Sequence, residues 1–162
     1  ELQQTGRADW VFCEARIEVD GAPSTWAHQA AAGRVPGVAP APWVATLAGS
    51  VAGLFEVWTG TSLQLHDCWS GLVCPLVGDM WVEATGRNPV ALWEARVVLL
   101  ETGAALVRRP IDWPLAALSA VRSAREQQWA IGGPVDPLPI RKRRLAYGRA
   151  RGADPRYFFR GI

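Results

Sequence analysis

At 162 residues the chain is long enough to bury one substantial core. Its composition, 49% hydrophobic and 20% charged, excludes a disordered chain. The net charge of +2 conceals a division: residues 140–162 carry eight basic groups against Asp154 alone, a local charge of +7, which leaves −5 on residues 1–139.

Residues 11–19 alternate, with Val11, Cys13, Ala15, Ile17 and Val19 on one side, and predict a strand that ends at an Asp20-Gly21 turn. Residues 21–42, rich in Ala, Pro and Gly, read as irregular, with a short helix around 26–32. The longest apolar stretch, 38–55, is broken by Pro40, Pro42, Gly49 and Gly53 and reads as a buried element rather than a membrane span. Pro42 suits a first helical turn, Gly60 a stop, and Trp43, Leu47, Val51, Leu54 and Trp58 recur at helical spacing. The expectation is a helix over 42–59, apolar nearly all round and therefore buried.

Beyond it the period becomes two. Leu63 and Leu65, then Met80, Val82 and Ala84, then Trp93, Ala95, Val97 and Leu99 alternate with polar or aromatic partners, and Glu101-Thr102-Gly103 turns into a strand over 104–108. Leu115, Leu118 and Val121 begin a second, amphipathic helix lasting to about Trp129. Gly132, Gly133, Pro134, Pro137 and Pro139 then form a linker, so the chain divides into a body, 1–131, and a tail, 132–162. The fold class is α+β, a curved antiparallel sheet around one buried helix, with a second helix and an extended C-terminal tail.

Nine tryptophans are spread along the chain and read as core fillers. Cys13, Cys68 and Cys74 form neither a disulfide framework nor a zinc-ligand pattern, so free thiols and no metal are expected. The first residue is Glu1 rather than Met, which leaves room for a processed leader.

The segments 44–53 (VATLAGSVAG), 61–66 (TSLQLH), 78–84 (GDMWVEA) and 93–98 (WEARVV) together resemble successive blocks of the hotdog acyl-CoA thioesterases of the phenylacetate-pathway type. The resemblance covers about residues 11–109 and implies a hotdog fold, with pairing of hotdog chains as homo- or heterodimers. It also implies an oxyanion donor at the helix start and an Asp or Glu farther along the helix. Those positions hold Pro40-Ala41-Pro42 and Gly49, which supply neither an N–H at the prolines nor a base. Ser50 has no base near it in sequence, Glu56 lies seven residues past the carboxylate position, and His66 and Asp67 alternate to opposite faces of one strand. No catalytic residue and no cofactor are expected.

The tail interleaves cations with aromatics: Arg141, Lys142, Arg143, Arg144, Arg149, Arg151, Arg156 and Arg160 with Tyr147, Tyr157, Phe158 and Phe159. Guanidinium forks hold phosphates and stack on bases. The expected function is a non-catalytic subunit of a large assembly, a mitochondrial ribosome first, contacting RNA or another partner through those eight cations. The alternatives are an accessory subunit of a respiratory or ATP synthase complex and an active thioesterase with displaced catalytic residues.

Overall fold

The computed structural model describes residues 8, 11–39, 41–78, 90–130, 142–143, 146–147, 149–150 and 154–159. The chain forms two compact units, one of residues 1–51 with 97–99, the other of 52–96 with 100–162.

In the first unit β1 (Arg16–Val19) and β2 (Ala22–Thr25) form an antiparallel hairpin in which Val19 faces Ala22. Asp20 and Gly21 turn it with φ of 54° and 77°. Two consecutive positive φ values suit the right-handed twist of the flanking strands, and Asp-Gly adopts them readily. The strand expected over 11–19 is therefore shorter: residues 11–13 are helical and pairing begins only at Arg16. The segment expected to be irregular contains β2 and the short helix α1 (Trp26–Ala31), capped by Thr25, whose hydroxyl accepts from the His28 N–H at 3.3 Å. α1 lies against α2 (Pro42–Ala48), with Ala27, Ala30 and Val44 buried.

The helix expected over 42–59 ends at Ala48. Gly49 caps it, donating its N–H to Ala45 O at 3.1 Å, and β3 (Ser50–Thr59) follows in extended conformation. The physical reason is burial on both faces. A central strand covered on both sides has a near-continuous apolar run, which periodicity alone does not separate from a buried helix. The expected helical stripe is dispersed, with Trp43, Val51 and Trp58 exposed and Leu54 buried. Gly53, costly in a helix, serves close approach in the strand: a Cβ there would meet the Phe55 ring at 2.7 Å.

The remaining strands are β4 (Leu63–Asp67), β5 (Val73–Pro75), β6 (Val90–Leu100), β7 (Gly103–Leu106) and β8 (Ile111–Trp113). The expected strands at 63–66 and 93–99 and the turn at 101–103 are present; the expected strand at 80–85 lies outside the described residues. The sheet order is β5-β4-β3-β6-β7, with β8 also on β6. A parallel bridge, Leu76 to Ala104, and a Val77 N–H to Ala104 O hydrogen bond of 2.9 Å bring the two ends of this order together. The sheet is thus nearly closed, a curled antiparallel sheet in an α+β chain.

Alternation gives the sheet two buried faces. Phe55, Val57, Leu65, Trp93 and Ala95 lie on one. The opposite face presents Leu54, Cys68, Leu92 and Trp113 to the expected second helix, α3 (Ala116–Ala130), which buries Ala117, Ala120 and Val121 against them. Among the described residues no helix is long and apolar enough to cross a membrane.

Among its described residues the C-terminal segment packs on the body rather than lying extended. It ends in α4 (Arg156–Phe159), which lies against α3; Phe159 is 4% exposed within the cluster around Trp113, and Tyr147 and Phe158 pack on its rim. Charge and glycine content suggested detachment, but burying a phenylalanine is worth about 1.5–3 kcal/mol, enough to hold a short segment down. The linker at 132–139 lies outside the described residues.

Candidate functional site

The polar and small residues near the positions that the resemblance marks out have structural employment. Gly49 caps α2, and the Ser50 hydroxyl donates to Leu47 O at 2.7 Å. Asp67 Oδ1 accepts the backbone N–H groups of Trp69 and Ser70 at 2.8 and 2.7 Å, closing the turn after β4. His28 Nδ1 meets Thr25 Oγ1 at 2.8 Å beside an open groove lined by Arg16, Pro23, Ser24 and Thr25. Burial pushes the Cys68 thiol up to about 12, so it is no nucleophile at neutral pH. Among the described residues no cluster of three His, Cys, Asp or Glu side chains could hold a metal ion.

Of the eight tail cations, Arg141, Arg144, Arg151 and Arg160 lie outside the described residues. Lys142, Arg149 and Arg156 are exposed. Arg143 is half-buried and donates to Phe158 O at 3.4 Å, while Arg156 grips Asp154 through Nε at 2.9 Å and a terminal nitrogen at 2.6 Å. Two of the cations therefore help fold the segment that carries them, and the buried Phe159 fixes where the segment sits.

A more concentrated site lies on the outer side of the β3–β4–β5 ribbon. The register sets Glu56 opposite His66 and Trp58 opposite Gln64, then His66 opposite Val73 and Gln64 opposite Pro75. Alternation puts these side chains on the face that carries Leu54, and α3 packs on that face around Leu54 and reaches Glu56 through Arg122. Beyond the helix the ribbon is open, with Trp58 45% and Val73 48% exposed.

Trp58 and His66 stack with ring centroids 4.4 Å apart and planes 16° from parallel. Beneath them the buried Glu56 carboxylate accepts from Trp58 Nε1 at 2.7 Å and pairs with the Arg122 guanidinium from α3 through the same oxygen, Oε1. The hydrogen bond fixes the indole plane, and the ion pair neutralises the buried acid. His66 Nε2 is buried with no hydrogen-bond partner among the described residues. Glu56 and His66, weighed from sequence as stray catalytic groups, are thus brought together, while His66 and Asp67 point apart as expected.

The arrangement offers a preoriented aromatic surface, an apolar rim and the half-exposed guanidinium of Arg122. Sequence reasoning missed Trp58 because it placed that residue on a helical stripe. The available signal was the Gly60-Thr61-Ser62 turn, which sets 55–59 and 63–67 as two arms of a hairpin. No family of known proteins, curated protein or solved structure matches this chain.

Proposed function

We propose that the protein is a non-catalytic nucleic-acid-binding subunit that lays single-stranded RNA across the outer face of β3, β4 and β5. The observation that carries this reading is the exposed Trp58 indole, held in plane by Glu56 and stacked on His66. Any base can stack on such a ring, and each base so held contributes about 1–3 kcal/mol. Arg122 and the exposed cations Lys142, Arg149 and Arg156 would supply phosphate contacts.

The strand order supports the same reading. Counted from β3, the neighbours run third-second-first-fourth-fifth, and the third and fifth strands meet in a parallel bridge. That order resembles the five-stranded Greek-key barrels that bind oligonucleotides and oligosaccharides. We prefer it to a hotdog sheet, which needs a long buried helix where this chain has the seven residues Pro42–Ala48. The functional site, not the fold likeness, carries the proposal. Membership of a larger assembly, an organellar ribosome being one setting the sequence suggests, is part of it.

The test is fluorescence anisotropy with a labelled single-stranded RNA and the matching duplex. Trp58→Ala should weaken single-strand binding about 5- to 100-fold, the equivalent of one or two kcal-scale stacking contacts, and leave duplex binding nearly unchanged. Equal affinity for both forms, with Trp58→Ala behaving as wild type, would sink the proposal.

A further inference from the structure

We propose that the groove formed by β1, β2 and α1 binds a small phosphate monoester, its phosphate held by the side chains of Arg16, Ser24 and His28. The proposal goes beyond the nucleic-acid reading: the described lining residues of the groove belong to the first unit, whereas Trp58, His66 and Arg122 belong to the second.

The hairpin builds the groove. Arg16 stands directly opposite Thr25 in the β1–β2 ladder, and facing side chains of an antiparallel pair have Cβ atoms about 4.5–5.5 Å apart. This sets the guanidinium on the side of the Thr25 hydroxyl, and α1, starting at Trp26, brings His28 to that same hydroxyl. Thr25 Oγ1 accepts the His28 backbone N–H at 3.3 Å and lies 2.8 Å from Nδ1. The hydroxyl donates to Nδ1, and the neutral ring then carries its hydrogen on Nε2. Ser24 Oγ accepts from Gln29 Nε2 at 2.7 Å, which leaves the serine proton to donate. Ser24 and His28 are thus held before any ligand arrives, so little side-chain freedom is lost on binding.

The groove offers three kinds of donor and, among its described lining residues, no carboxylate. Arg16 is exposed and, unlike Arg122 and Arg156, which pair with Glu56 and Asp154, has no ion-pair partner among the described residues. Its planar fork matches phosphate oxygens and is always charged. A hydroxyl from β2 and an imidazole N–H from α1 add donors in other directions, which suits a tetrahedral group better than a planar carboxylate. The His28 backbone N–H is already taken by Thr25, so side chains and not the helix end do the binding. The volume of about 330 Å³ falls at the lower end of small-molecule sites, about 300–1,000 Å³. It admits a phosphate with a short organic group, which would lie along Pro23.

The experiment is a proton–nitrogen NMR titration with ribose 5-phosphate, which carries no base to stack on Trp58, at about pH 7.5, where a phosphate monoester is mostly dianionic. Shifts should saturate with a Kd at or below about 1 mM and centre on the amides of Arg16, Ser24, Thr25 and His28; ribose should produce none. Inorganic phosphate should displace the ester, and acetate should not. Arg16→Gln should weaken binding about 10- to 100-fold, the loss of charge-assisted hydrogen bonds, and Ser24→Ala and His28→Ala about 2- to 10-fold each. Arg34→Gln, which removes an exposed arginine of the same unit outside the groove, and Trp58→Ala should bind as wild type. Absence of saturable shifts, wild-type binding by Arg16→Gln, or displacement by acetate as effective as by phosphate overturns the proposal. So does loss of binding in Trp58→Ala, which would put the anion on the β3–β5 face instead.

Discussion

Replacing Phe159 by alanine tests whether the C-terminal segment is part of the core. Phe159 is 4% exposed, sits in the cluster with Trp113, Leu54 and Val121, and has Trp113 and Tyr147 at centroid distances of 6.4 and 6.3 Å. Truncating a buried phenylalanine costs about 3–5 kcal/mol. The site lies in a four-residue helix, where neighbours can collapse into the gap, which argues for the lower end. About 3 kcal/mol corresponds to a fall in Tm of roughly 6–12 °C at this chain length. Urea unfolding followed by tryptophan fluorescence and by circular dichroism reads the loss, and the two probes should coincide. A change below about 0.5 kcal/mol, the scale of an ordinary surface substitution, would mean that the segment leaves the core in solution. The tail would then be the detached, charged strand that its composition suggests.

Two further outcomes follow from the packing. Gly103→Ala should destabilise the protein by about 3 kcal/mol, the upper end for overpacking, because the added Cβ would run into the Pro75 carbonyl where β5 and β7 approach and Gly103 has a φ of +150°. Thermal unfolding checks this, and a neutral substitution would show that the sheet is open at that seam. Cys68 makes the protein sensitive to alkali: burial holds its thiol up to about 12 in the folded chain, against 9.0 when exposed. The folded state keeps a proton that the unfolded state has lost, so this stability is complete below 9.0 and is lost as pH rises toward about 12. Urea midpoints taken above pH 9.0 should fall more steeply for wild type than for Cys68→Ala, by up to about 1.4 kcal/mol per pH unit. Equal slopes would show that the thiol is accessible.

What the sequence alone determined are the elements specified by local signals. Asp20-Gly21 demands a tight turn, the alternation at 63–66 and 93–99 demands strands, Glu101-Thr102-Gly103 demands a hairpin, and the amphipathic run from Leu115 demands α3. Each is decided by neighbours a few residues apart, and each is present. Tertiary structure decided what depends on partners distant in the chain. Residues 50–59 became a strand because β4 and β6 pair with both of its edges and both of its faces are buried over 53–57, and an apolar run carries no period that distinguishes that setting from a buried helix. The C-terminal segment folded back because Phe159 meets Trp113, a contact invisible to a count of arginines. The aromatic site exists only through the β3–β4 register, which sets Glu56 against His66 and so turns two apparently stray polar residues and one misplaced tryptophan into a single surface.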